Sequence, residues 1–215
     1  MSELQTRIKT GVVLVGVVVA ATLYSIATAL VLWGVLAVLG IKELRDNSMG
    51  GSLSTLWVLV ASSSVVGLGF FEQVETGFVA NFESYNGLNA VALLCVIWAN
   101  DSFAYLGGMV GGRRIVKKGL APSVSPKKSW EGAVIGSIFA AAVGYIFLKE
   151  AGFYIGLIVG VLATFSDLIQ SKAKRNAGIK DSGSILPGHG GVLDRFDALL
   201  LPAPFTFITL YLLTL

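Results

Sequence analysis

Six long stretches without a charged residue, 10–41, 47–71, 84–100, 132–148, 151–166 and 198–215, constrain this chain more than any other feature. A helix that crosses a bilayer needs about 20 mostly apolar residues, so runs of this kind belong in lipid. Charged residues make up only 13% of the 215 positions, about half the share of a soluble domain. A disordered or ordinary cytosolic protein is thereby excluded. A single helix over 10–41 would reach about 48 Å, well beyond a hydrocarbon core of about 30 Å. The run therefore divides near Tyr24–Ser25 into spans of 8–24 and 26–43. Further spans are predicted at 54–71, 88–109, 132–148, 152–170 and 197–214. The expected fold is all-α, a polytopic integral membrane protein with about seven transmembrane helices. Arg7 and Lys9 precede an apolar run as in a signal peptide, but the apolar character continues past any cleavage point, so the first span is read as retained. Cys95 is the single cysteine, which excludes an intramolecular disulfide, and with one histidine no zinc cluster of the usual ligand set can form within one chain.

Charge placement orients the spans. With the N-terminus in the cytoplasm, every one of the 16 lysines and arginines except Lys149 falls on the cytoplasmic side, as the positive-inside rule requires. The external loop at 72–87 carries Glu72, Glu75 and Glu83 and no cation, and the C-terminus should face outside. Residues 1–87 form an N-terminal transmembrane part of about three spans, and 88–215 a catalytic part with two polar cytoplasmic loops, 110–131 and 171–196. Connections that merely join helices usually run about 2–8 residues, so function is expected in these two loops.

Several residues there point to chemistry. Asp101 and Asp167 each end an apolar run, where a carboxylate costs about 2.5–3.5 kcal/mol at a helix centre; such residues face a polar cavity, a partner or an ion, or else sit at the interface. Lys127 and Lys128 precede an apolar helix for which Ser129 is a good N-cap, a combination that suits phosphate. The same lysines also serve orientation and attract anionic lipid. Their place beside the membrane argues against a nucleic-acid partner. Asp167, Ser171, Lys174 and Arg175 are spaced at about one and two helical turns, on neighbouring faces of one helix end. A loop with Gly188, His189, Gly190 and Gly191 lets the backbone approach a ligand closely. It closes on Asp194, Arg195 and Asp197, the two aspartates three apart and able to look back toward Asp167. Oxygen ligands without clustered Cys or His suit Mg²⁺, held by one or two carboxylates plus substrate phosphates. Together these features describe a metal-phosphate site on the cytoplasmic side.

On these residues the sequence resembles the phosphatidate cytidylyltransferase family, also called CDP-diacylglycerol synthases. Ser171, Lys174, Arg175, Lys180, Asp181, Gly183, Pro187, His189, Gly190, Gly191, Asp194, Arg195 and Asp197 stand at the spacing of the family signature, with Ala173 where a larger apolar residue is usual. A second block resembles the family at Asp101–Tyr105 with Gly108, and again at Ser125–Gly132. The N-terminal hairpin ending in Glu43 and Leu44 is similar in pattern only, and many relatives carry extra N-terminal spans. The resemblance implies a homodimer in the cytoplasmic (inner) membrane, with a polar, metal-containing cavity open to the cytoplasm. It also implies attack of a phosphatidate phosphate oxygen on the α-phosphorus of CTP, which yields CDP-diacylglycerol and pyrophosphate. The expected metal ligands are Asp167 and Asp194, for one or two Mg²⁺ ions and an additional monovalent cation. Lys174, Arg175 and His189 complete the expected catalytic set. Lys127, Lys128, Ser129, Ser171, Gly190, Gly191, Arg195, Asp101 and Asp197 are the expected substrate-binding residues, with His189 and its glycines lining the nucleotide pocket. Two alternatives stay open. A CTP-dependent polyprenol or dolichol kinase would attack the γ-phosphorus instead, and a cation-coupled transporter would use Asp101 and Asp167 along an ion path.

Overall fold

The computed structural model describes residues 3–74 and 77–215, with side chains from residue 5 onward; Glu75 of the expected external loop lies outside the described residues. The architecture is mostly helical. α1 (Glu3–Tyr24), α2 (Ile26–Asp46) and α3 (Ser52–Gly67) lead through a 3₁₀ turn to a small hairpin of β1 (Phe71–Val74) and β2 (Gly77–Ala80). α4 (Leu88–Gly111), α5 (Trp130–Asn176), the short α6 (Leu193–Phe196) and α7 (Pro202–Leu212) follow. Among the described residues six helical segments are long and apolar enough to cross a bilayer: Gln5–Tyr24, Ile26–Asp46, Ser52–Phe70, Leu88–Gly111, Trp130–Asn176 and Leu193–Leu212. The chain thus reads as a multi-pass membrane protein.

The division of the first long run falls where the sequence places it. Ser25 adopts an extended backbone between α1 and α2 and caps α2: its hydroxyl accepts from the Thr28 amide at 3.2 Å, and its own amide donates to Thr28 Oγ1 at 3.2 Å. This reciprocal pair satisfies two amides that a helix start leaves unpaired.

α5 is 47 residues by hydrogen bonding yet is no single rod. Leu148 and Lys149 leave helical geometry, Lys149 with φ 50°, and the two arms fold back on each other there. A Cβ on Gly144 would lie 2.1 Å from the Gly152 carbonyl oxygen, one on Gly156 2.6 Å from that of Ala140, and one on Gly160 2.8 Å from Ser137 Cα. The arms are therefore antiparallel and in backbone contact. Small residues recur every fourth position, Gly132, Gly136, Ala140 and Gly144 on the first arm and Gly152, Gly156 and Gly160 on the second. Where lipid gives no hydrophobic drive between helices, such small faces permit the close van der Waals packing that holds them. α4 joins the same unit, since a Cβ on Gly136 would sit 2.6 Å from the Asn100 carbonyl oxygen. That packing sets α4 against both arms of α5.

An antiparallel hairpin pairs Phe71 with Ala80 and Val74 with Gly77 where a plain external loop was expected, so the all-α expectation is amended by these two strands. Two aromatic anchors hold it: Phe71 and Phe78 are buried, and the Phe71 carbonyl accepts from Asn89 Nδ2 at 2.6 Å. One apolar core runs through the molecule and draws Val18, Trp33 and Leu68 together with Leu94, Val159 and Leu210. The N-terminal helices thus share a core with the segment 88–215.

Candidate active site

At one end of this helical unit, α4, the second arm of α5, α6 and the 120–129 loop enclose a cavity of about 670 Å³. Asp101, Asp167 and Asp197 line it together with Lys127, Lys128 and Lys174. Apolar residues Ala104, Tyr105, Met109 and Leu120 form another part of the wall, so the cavity is polar on one flank and apolar on the other.

Each charged side chain has defined partners. Asp167 accepts from Lys128 Nζ at 2.5 Å and from Ser171 Oγ at 3.0 Å, the latter one helical turn on. Lys174 is nearly buried and bridges two carboxylates, with its Nζ 2.7 Å from Asp194 Oδ1 and 3.5 Å from Asp197 Oδ2. Asp194 also accepts, through Oδ2, from the amides of Ser182 at 2.7 Å and Gly191 at 3.0 Å. Asp101 accepts from Asn100 Nδ2 at 3.2 Å. Asn100 is 1% exposed, and its Oδ1 has no hydrogen-bond partner. Ser129 caps α5 as expected, accepting from the Gly132 amide at 3.1 Å. Among the described residues no three His, Cys, Asp or Glu side chains converge as a ready metal-binding group.

The predicted residues fall mostly into two cavities, with Ser171, Gly191 and Arg175 outside both linings. Asp101, Lys127, Lys128, Ser129, Asp167, Lys174, Asp194, Arg195 and Asp197 all line the large cavity, and Ser171 supports Asp167. His189 and Gly190 line a second cavity of about 370 Å³ with Arg7, Lys180, Asp181, Gly188 and Arg195. Asp181 and Arg195 belong to both, so the cavities adjoin. Gly191 lies behind them, buried against Glu43. Arg175 lies outside both linings, exposed, with Nη1 donating to the Ile179 carbonyl at 2.7 Å just beyond its own helix. An arginine at a helix C-terminus commonly serves the last carbonyls in this way.

One buried, fully engaged carboxylate carried no such expectation. Glu43, 4% exposed near the end of α2, accepts from the amides of Val192 at 2.8 Å and Leu193 at 2.9 Å and from Ser182 Oγ at 2.8 Å. Asn47, one turn further, donates through Nδ2 to the Ser182 carbonyl at 2.8 Å. Together they tie the glycine-rich loop to the N-terminal helices. Its only sequence signal is a carboxylate near the cytoplasmic end of a predicted span. Glu131 holds the other loop in the same manner, accepting from the amides of Arg113, Ile115 and Val116 at 3.1, 2.9 and 2.8 Å.

The helices define a multi-pass membrane protein, and its cavity sets lysines and carboxylates on one flank against apolar side chains on the other, a lining suited to an amphipathic ligand. The model of the cytidylyltransferase family matches residues 47–213, and the chain belongs to that family. Among curated proteins it is similar to the phosphatidate cytidylyltransferase of Rickettsia typhi, 42% identical over 150 residues that cover 63% of this chain and 64% of that protein. The match therefore spans just under two thirds of that relative's length. It is also similar to the phosphatidate cytidylyltransferase of Rickettsia bellii, 33% identical with 96% of this chain and 90% of that protein covered. The phosphatidate cytidylyltransferase of Brucella abortus biovar 1 is 31% identical, with 97% and 93% covered.

Proposed function

We propose that this chain transfers a cytidylyl group from CTP to phosphatidate, forming CDP-diacylglycerol and pyrophosphate for phospholipid synthesis. The observation that carries the reading is that Asp101, Asp167 and Asp197 line one cavity with Lys128 and Lys174, and that its other flank is apolar. A diacyl substrate can rest its tails toward Tyr105, Met109 and Leu120 while its phosphate meets the lysines. In the transfer a phosphatidate oxygen forms a bond to the α-phosphorus as the bond to the β-phosphate oxygen breaks, and pyrophosphate leaves. The nucleophile is already anionic, so the protein's contribution is orientation and charge neutralisation rather than proton removal.

Mg²⁺ fits this donor set, because it is commonly held by one or two carboxylates plus substrate phosphates. Asp167 would hold it, joined by Asp194, which with about four acceptor positions on a carboxylate has three occupied by Lys174, Ser182 and Gly191. The unpartnered Asn100 Oδ1 is a further neutral oxygen in the same lining. A bound Mg²⁺ would supply charge neutralisation on phosphate oxygens. Lys128 and Lys174 orient the carboxylates, and Ser171 fixes Asp167.

The same reading places the cavity at the cytoplasmic face of the inner membrane, the N-terminus inside, and seven crossings, with the α5 arms counted separately at Leu148–Lys149. In a Cys95→Ala background, an impermeant thiol reagent should reach Lys118→Cys from the cytoplasmic side and Glu83→Cys from the other. A homodimer is part of the proposal, and cross-linking in native membranes should yield a species of twice the chain mass.

Purified protein in detergent, given phosphatidate, Mg²⁺ and CTP labelled separately at the α- and γ-phosphates, tests the reaction. Lipid labelled only from the α-phosphate is expected. Label from the γ-phosphate would make the chain a lipid kinase, and no transfer to phosphatidate or polyprenol would return it to the transporters.

A further inference from the structure

The second cavity has a wall that lies outside the family match at 47–213: Arg7, on the second turn of α1. α1 is laid across the glycine-rich loop by two close approaches one helical turn apart. A Cβ on Gly188 would come within 2.8 Å of Arg7 Cγ, and a Cβ on Gly11 within 3.4 Å of His189 Nε2. Gly188 also takes φ 74°, so the loop meets the helix through a residue that must lack a side chain on both counts. Among the described residues the cavity so formed carries three cations, Arg7, Lys180 and Arg195, against one carboxylate, Asp181, and its lining includes no apolar side chain.

Building on the proposed cytidylyl transfer, we infer that this cavity takes the β- and γ-phosphates of CTP and then the pyrophosphate they become, with Arg7 as a binding residue for them. The reacting phosphorus belongs with the carboxylates and Lys128 and Lys174 in the large cavity, which also holds the apolar flank for lipid. The leaving half of the triphosphate must then point toward a neighbouring, cationic, lipid-free space. The second cavity adjoins the first through Asp181 and Arg195 and is the space of that kind. A planar guanidinium suits it, since it binds two phosphate oxygens at once.

The test uses the full chain in detergent with phosphatidate and α-labelled CTP, comparing wild type, Arg7→Ala, Arg7→Lys and Lys180→Ala. Arg7→Ala should require about tenfold more pyrophosphate for half-inhibition, the loss of one charge-assisted contact. It should raise KM for CTP and leave KM for phosphatidate unchanged, and Arg7→Lys should restore part of the difference. Lys180→Ala, in the same lining, should weaken pyrophosphate inhibition in the same direction and decides the matter if Arg7→Ala does not fold. Unchanged inhibition in the folded variants overturns the inference, and so does a rise in KM for phosphatidate alone, which would give Arg7 to the lipid. Calorimetric titration with pyrophosphate separates the two readings. Arg7-dependent binding in a wild type that moves no α-label supports the site while the transfer reading fails, and α-transfer with Arg7-independent binding overturns the site only.

Discussion

The two polar loops of this protein are held by the same device in opposite surroundings. Glu131 gathers three amides of the 112–118 segment at an exposed helix start, whereas Glu43 gathers two amides and a hydroxyl of the 182–193 loop in a site closed to water. An amide that loses its partner in solvent turns to water. One that loses it in a dry interior stays unsatisfied, at about 1–3 kcal/mol each. Loss of the glutamate should therefore cost the exposed segment little and the glycine-rich loop much.

The largest effect is expected from Glu43→Ala, which orphans the amides of Val192 and Leu193 and should destabilise the protein by about 3–5 kcal/mol. Thermal unfolding in detergent and the label-transfer assay should both register the loss, and Glu43→Gln should recover part of it through its remaining acceptor oxygen. A Glu43→Ala protein with wild-type unfolding would erase the difference between the loops. Asp167→Asn comes next. It should abolish Mg²⁺-dependent turnover while the unfolding temperature stays near wild type, and full activity in this variant would remove Asp167 from the metal site. Gly191→Ala sharpens the comparison from the other side of the Glu43 contact. Its Cβ would lie 2.3 Å from Ser182 Oγ and 2.5 Å from Glu43 Oε2, so a measurable drop in unfolding temperature and a several-fold loss of turnover are expected. The smallest effect belongs to Glu131→Ala. Its unfolding temperature should stay close to wild type while limited proteolysis cuts faster within 112–118, and equal proteolysis would show that the glutamate does not order that loop.

Much of this could be read from residue order alone because it is local. The split at Ser25, the cap at Ser129 and the Asp167–Ser171 pair each depend on neighbours within one helical turn. The charge-free runs located the helices, and the gathering of Asp101, Asp167, Asp197, Lys128 and Lys174 follows from their sharing one end of packed spans. Contacts between distant segments were not legible. Glu43 meets partners 139 to 150 positions away, and no periodicity announces such a pairing. The same holds for Arg7 over Gly188. Arg175 shows the reverse case: a cation expected at the site by its place beside Lys174 lines neither cavity and donates to the Ile179 carbonyl. The hairpin at 71–80 was hidden because its strands are only four residues each and lie within a loop rich in acidic residues.

The Glu43 tie also sets a clock during synthesis. Its most distant partner, Leu193, follows it by 150 residues, which at about 5–20 residues per second is roughly 7–30 s of translation. Throughout that interval, while α3, α4 and both arms of α5 are made, the carboxylate lacks these partners. Only the arrival of the glycine-rich loop encloses it, so this tie closes after α1 to α5 have been made and just before α7, and a nascent chain stalled before residue 193 still lacks it.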